Sequence, residues 1–273
     1  MSRFDSPVRE YMTAPVSSIK PYTTLAEAQR LVESRSVSAL PVVDDAGDVV
    51  GVVSVTDLLR SGRVEALSHG HRPLLEFSGR PAGDIMQRSV VTVSPSDTIA
   101  EAAARMVDRH IHRVFVTEGM RLVGVLSTRD IMRAVVAEKV TTPLAAVMST
   151  PVFTIDINAT VAMATDRLRE AHVRGLVVVE HDWPVGVFTQ FEALCARNFP
   201  NDAPVEHAMS YEMICLETTT PMHRVAGHAV AMGVRRIMGV EERELKGIVT
   251  GLDVARVATV DQTGGSLPPG AWP

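Results

Sequence analysis

The sequence predicts an α/β (α+β) protein made of four tandem β-α-β-β-α units paired into two modules. Three observations predict it. Four segments open alike, with Pro followed five residues later by Met: residues 7–12 (PVREYM), 81–86 (PAGDIM), 143–148 (PLAAVM) and 204–209 (PVEHAM). Each then runs to a glycine inside an apolar stretch, Gly51, Gly124, Gly186 and Gly247, at Met-to-Gly distances of 39, 38, 38 and 38 residues. Six residues beyond each glycine stands a carboxylate: Asp57, Asp130, Glu192 and Asp253. Self-similarity at a fixed period is the mark of a repeat architecture.

Within a unit the elements follow in order. A short apolar strand comes after the Met, as in Val90-Val91-Thr92-Val93. A helix follows, and in the first two units Thr24 with Glu27 and Thr98 with Glu101 have the spacing of a capping box. Leu25, Ala28, Leu31 and Val32 recur at helical spacing. Two β-branched strands come next, for example residues 40–43 and 49–53, joined by Asp44-Asp45-Ala46-Gly47, whose residues suit a hairpin turn. A second helix begins near the carboxylate.

The boundaries expected from this pattern are 7–60, 81–135, 143–197 and 204–258 for the four units. A unit of about 55 residues buries too little surface alone, so the units should pack together. The unit starts lie 74, 62 and 61 residues apart. The longer first interval leaves residues 61–80, rich in Gly, Ser, His and Arg without periodicity, as a connecting loop inside the first pair. Residues 261–273 read as a loose tail rich in Gly and Pro.

Composition sets further bounds. Hydrophobic residues make up 46% of the 273 and aromatics only 4%, so the cores must be filled by aliphatic residues and the 13 Met. A net charge of −5 argues against a chain-wide grip on nucleic acid while leaving room for a locally basic pocket. No run approaches the roughly 18–20 apolar residues of a membrane span, and the N-terminus lacks a signal-peptide pattern. A cytoplasmic location is therefore expected. Cys195 and Cys215 are too few for a disulfide framework and are expected to be small buried apolar residues. His69 and His71 lie two apart in the connecting loop beside Arg72, but no third ligand is indicated and no metal is expected.

These residues resemble CBS domains, named for cystathionine β-synthase, over about residues 7–260. The resemblance implies that two units pack through their sheets into a pseudo-twofold (Bateman) module, with clefts able to take adenine nucleotides or S-adenosylmethionine. Two modules without an attached enzyme or channel look like stand-alone sensor subunits.

The resemblance also points to residues. A carboxylate suits ribose hydroxyls, which are donors. Hydroxyls and cations suit phosphate. In the first unit Ser54, Thr56 and Asp57 match the family's ligand motif; the alternative is that they only cap a helix. The second unit keeps Ser127 and Asp130, with Thr128 and Arg129 between them, and adds His112-Arg113 before a strand. Arg113 suits phosphate through its planar fork, against the alternative of a solvated surface arginine. The third unit has Thr189, Phe191 and Glu192, a longer acid and an aromatic where the motif has Asp and a hydroxyl, and is expected to be degenerate. The fourth keeps Thr250 and Asp253 and carries Arg235-Arg236, with Arg236 the candidate phosphate contact.

No nucleophile–base pair, Gly-rich phosphate loop or paired metal carboxylates stand out. The expectation is a non-enzymatic regulatory sensor of an adenine nucleotide (AMP, ADP or ATP), needing no cofactor and working as a homodimer with a protein partner to regulate. The alternatives are a dimerisation scaffold with decayed sites, an S-adenosylmethionine binder, or an enzyme of unrecognised chemistry.

Overall fold

The computed structural model describes residues 3–35, 37–61, 63–64, 75–76, 79–173, 175–196, 199–200 and 202–259. His69, His71 and the tail at 261–273 lie outside the described residues. The first unit contains α1 (Leu25–Arg35), β1 (Ala39–Val43), β2 (Val49–Ser54) and α2 (Val55–Ser61), its opening strand reduced to a parallel bridge between Ile19 and Val42. In the connecting stretch β3 (Arg63–Val64) pairs antiparallel with β4 (Leu75–Glu76), so this segment is not wholly irregular. The second unit holds β5 (Thr92–Val93), α3 (Ile99–Asp108), β6 (Arg113–Glu118), β7 (Arg121–Ser127) and α4 (Thr128–Ala137). The third holds β8 (Thr154–Asp156), α5 (Val161–Glu170), β9 (Gly175–Glu180), β10 (Trp183–Thr189) and α6 (Gln190–Cys195). The fourth holds β11 (Met213–Glu217), α7 (Met222–Met232), β12 (Arg236–Glu241), β13 (Glu244–Thr250) and α8 (Gly251–Thr259). Four β-α-β-β-α units are thus observed, as expected.

Local chemistry explains the elements. Both capping boxes form, with Thr24 and Thr98 exchanging hydrogen bonds with Glu27 and Glu101. The Asp44–Gly47 turn forms too: Gly47 takes φ +89°, and the Asp44 carboxylate accepts from the backbone N–H of Ala46 and Asp48.

The described residues fall into two compact bodies. One comprises residues 12–97 and 114–126, the other 3–11, 98–113 and 127–259. The division passes through the second unit, sending α3 and α4 to the second body. In the first body Leu25, Ala28 and Val32, spaced i, i+3, i+7 on α1, pack on Leu40, Val42 and Val53. In the second, Val161, Ala164 and Leu168 on α5 repeat this against Leu176, Val178 and Phe188. There the sheets of the third and fourth units meet through Val177, Val187, Met238 and Ile248. Helix α3 packs on α8, and α4 on α7 and α8.

The repeated Pro-x4-Met segment has a role that its position in the sequence conceals. It leads each unit yet docks on the partner unit. Pro143 bridges Pro221, and the N–H of Leu144 donates to the carbonyl of Thr220 in the fourth unit. Reciprocally, Pro204 bridges Thr160, and the N–H of Val205 donates to Ala159 in the third. Likewise Pro81 bridges Thr24, and Pro7 bridges Thr98. In each case Pro caps a one-turn 3-10 helix, its φ preset near the required value. The next residue, Val8, Ala82, Leu144 or Val205, is fully buried. For Leu144 that burial contributes about 2 kcal/mol.

The Met ending each segment meets the repeated glycine of the partner. Met86 packs on Gly51, Met12 on Gly124, Met148 on Gly247 and Met209 on Gly186. A Cβ on any of these glycines would stand 2.5–2.6 Å from the methionine sulfur, so a larger residue would force the methionine to shift. First pairs with second and third with fourth through one reciprocal device.

Candidate functional site

Each unit's hydroxyl and carboxylate close on one another at the start of the second helix. In the first body Asp57 Oδ2 accepts from the Ser54 N–H at 2.9 Å and the Ser54 hydroxyl at 2.5 Å, and Asp57 N–H returns a bond to that hydroxyl at 3.2 Å. Its Oδ1 accepts only from Gln87 Nε2, at 3.4 Å. Thr56 is exposed. Capping therefore engages one oxygen of the Asp57 carboxylate, and the other has only the contact from Gln87.

In the second unit Asp130 Oδ2 accepts from the Ser127 N–H at 2.8 Å and its hydroxyl at 2.7 Å. Asp130 is only 7% exposed, and Arg133, three residues on, reaches its Oδ1 at 3.4 Å while lying over the ring of Tyr11. Thr128 is buried at the start of α4 against Gly251 at the start of α8: a Cβ on that glycine would stand 2.3 Å from the threonine hydroxyl. Arg129 reaches toward Gly233. The structure thus places Thr128 and Arg129 at a helix–helix junction. His112 is exposed, and its carbonyl accepts from Thr128 N–H. Burial and, secondarily, the charge of Arg235 pull the Arg113 guanidinium down to about 10.

In the fourth unit Asp253 is 3% exposed and fully engaged. Oδ2 accepts from the Thr250 N–H and hydroxyl, both at 2.8 Å, and Oδ1 from Ser149 Oγ at 3.1 Å and Arg256 at 2.5 Å. In the third unit Glu192 Oε2 accepts from the Thr189 N–H at 3.0 Å and from its hydroxyl. Arg236, the first residue of β12, is half-buried; burial lowers its pKa while Glu192 and Glu212 raise it.

Four residues, at two positions of the repeat, escaped the sequence reading. Gln87 and Ser149, each following a repeated Met, reach the partner unit's carboxylate. Arg133 and Arg256 lie three residues past theirs. Aligning the four repeats would have displayed both positions. The cysteines differ from expectation: Cys195 is exposed at the end of α6 and Cys215 is half-buried on β11. Their neighbours still push both thiols above the ordinary value, by burial and, at Cys195, by Glu192. On the helix side of the third unit a groove of about 510 Å³ is lined by residues including Leu168, His172 and Gln190. Among the described residues no cluster of three or more His, Cys, Asp or Glu could hold a metal, and no helix is long and apolar enough to cross a membrane.

The CBS domain family matches residues 8–63, 82–137 and 144–197, more than half of the chain. The chain belongs to the CBS domain family. The fourth CBS unit, beyond the matched segments, repeats their element order. A solved structure from Methanocaldococcus jannaschii, a proposed archaeal homologue of g-AMPK, superposes with a TM-score of 0.72 at 17% identity, covering 92% of this chain and 99% of that one. A second, from Pyrococcus horikoshii, gives 0.67 at 21% identity, covering 93% and 100%. At these identities the likeness shows the fold. An uncharacterised 33.4 kDa protein of Thermofilum pendens is 28% identical over 62% of this chain and 57% of its own length. The γ-3 subunit of 5′-AMP-activated protein kinase from Bos taurus is 34% identical over 37% of this chain and 20% of its own length. The chain spans about three fifths or less of these curated relatives.

Proposed function

We propose that this CBS protein is a non-catalytic regulatory sensor of an adenine nucleotide, AMP, ADP or ATP, acting in the cytoplasm on a protein partner. The observation that carries it is Asp57. Its carboxylate holds Ser54 with one oxygen and keeps the other half-exposed with a single long contact, from Gln87. Such an oxygen can accept a ribose hydroxyl in a charge-assisted bond. In the other body Arg113, half-buried, is a separate candidate for a phosphate contact through its planar fork. The kinship with a subunit of an AMP-activated kinase supports an adenine nucleotide as the ligand. Occupancy reaches the partner only if the ligand binds one arrangement of the CBS units better than another.

A second reading, a scaffold with decayed clefts, is favoured by Asp253, whose acceptor sites are filled within the protein. Thermal melts with AMP, ADP, ATP and S-adenosylmethionine decide between them. A ligand at a hundred times its Kd adds about 2.7 kcal/mol, and Asp57→Ala should remove most of the shift. If no ligand moves the melting temperature at millimolar concentration, the scaffold reading replaces the sensor.

A further inference from the structure

We propose that Gln87 couples the site at Asp57 to the pairing of the first and second units. A ligand hydroxyl that takes the open oxygen of Asp57 displaces the Gln87 side chain and so releases one of the contacts that hold the two units together. The proposal rests on the nucleotide-sensor reading and supplies the regulation of that site.

The residue after each repeated Met occupies the same place in all four units. Thr13, Gln87, Ser149 and Ser210 each exchange two backbone hydrogen bonds, at 2.8–3.2 Å, with the residue after the partner unit's repeated glycine: Val125, Val52, Ile248 and Val187. Asp57 stands five residues beyond Val52, and Asp253 five beyond Ile248. A side chain anchored at the bridge can therefore reach the partner unit's acid, and two do. Gln87 Nε2 donates to Asp57 Oδ1 at 3.4 Å, and Ser149 Oγ donates to Asp253 Oδ1 at 3.1 Å. The segment that lays Pro81 on Thr24 and Met86 on Gly51 thus ends on the acid that the sensor reading assigns to the ligand.

The two contacts differ in what can displace them. Ser149 and Asp253 are 2% and 3% exposed, and Arg256 bonds the same oxygen, so that contact is sealed. Gln87 is exposed, and among the described residues Asp57 Oδ1 accepts nothing else. Its bond is also longer than the usual N–H···O distance of about 2.9–3.0 Å. A hydroxyl approaches a carboxylate oxygen more closely, to about 2.5–2.7 Å, and holding the carboxamide in place costs rotamer freedom. With that donor gone, the exchanged segment keeps its backbone bridge and Met86 but loses its tie to the start of α2. Coupling is reciprocal: the contact weakens ligand binding by the factor by which the ligand weakens the clasp. One ordinary hydrogen bond sets that factor at about two- to tenfold.

Calorimetric titration of the full chain with AMP tests this. Gln87→Met keeps the side chain's length and removes its donor, so it should tighten AMP about two- to tenfold, and Gln87→Ala should do the same. In an Asp57→Ala background neither substitution should matter. Amide hydrogen exchange adds a readout that a merely structural role would not move. Saturating AMP should speed exchange at Val52 and Gln87 about two- to tenfold in the wild type, and not in Gln87→Met. Weaker AMP binding by Gln87→Met would make Gln87 a ligand contact and overturn the coupling. So would unchanged affinity, a gain confined to Gln87→Ala, a gain that persists without Asp57, or exchange that AMP does not speed. In each of those cases the sensor reading stands. If wild type binds no adenine nucleotide, both fall.

Discussion

Gly247→Ala tests whether the Met–Gly contact holds paired units together. The added Cβ would stand 2.5 Å from Sδ, 2.6 Å from Cγ and 3.0 Å from Cβ of Met148. Met148 has little room to move, because Gly239, which pairs with Gly247 across β12 and β13, also lies against its sulfur. Overpacking of this kind costs about 1–3 kcal/mol, and alanine returns about 0.4–1 kcal/mol through the unfolded chain. A net loss of between about 0 and about 2.6 kcal/mol follows, or roughly 2–4 °C per kcal/mol. At Gly124 only the flexible sulfur end is close, with Met12 Cγ at 3.2 Å and Cβ at 3.4 Å, so Gly124→Ala should cost less. Urea denaturation followed by far-UV circular dichroism gives the numbers. Met148→Ala should relieve Gly247→Ala, giving a coupling of about 1 kcal/mol or more in a double-mutant cycle. Additive losses, or a Gly124→Ala cost equal to that of Gly247→Ala, would refute the steric argument.

Three further outcomes follow from the same geometry. The β12–β13 turn puts Glu242 and Arg243 at φ +49° and +65°, so replacing them by Asn-Gly should raise stability by about 1 kcal/mol in a thermal melt. Asp253→Ala should cost about 3–5 kcal/mol because it strands the Arg256 charge, whereas Asp57→Ala should cost about 1 kcal/mol as a lost cap; equal losses would contradict the buried ion-pair assignment. The thiolate is the reactive form, so maleimide labelling of Cys195 should be slow near neutrality and accelerate with pH. Glu192→Gln should speed that labelling at pH 7.5, and an unchanged rate would place the Glu192 charge out of reach of the thiol.

Much of the fold was legible because repetition fixes it four times over. Pro, Met, Gly and the acid recur at near-constant spacing, and periodic apolar residues on α1 and α5 mark the buried faces. The exchange of opening segments was not legible. Pro143 and Leu144 look the same in sequence whether they serve their own unit or the partner, and only hydrogen bonding to Thr220 decides. The motif marked the hydroxyl–carboxylate pairs Ser54 and Asp57, Ser127 and Asp130, and Thr250 and Asp253, but not what fills their second oxygens. That depends on Arg133, Arg256, Gln87 and Ser149, whose directions are set by helix phase and by the partner unit.

The same short motif therefore carries two demands that compete for one carboxylate. Starting a helix needs an acceptor turned back onto the hydroxyl and N–H of the cap, and all four units meet that need with one oxygen. Holding a ligand needs the other oxygen open and a cation nearby that is not already paired with it. Where an arginine stands three residues on and bonds the acid, as at Asp130 and Asp253, the helix gains an internal ion pair and the ligand loses its acceptor. Asp57 also has Arg60 at that offset, yet among the described residues no ion pair within 4 Å joins them, and Glu192 has a cysteine there. The sequence motif is strongest where it is most complete, but availability is decided by the residue one helical turn further on. A motif match alone consequently does not tell whether the acid keeps an oxygen open for a ligand.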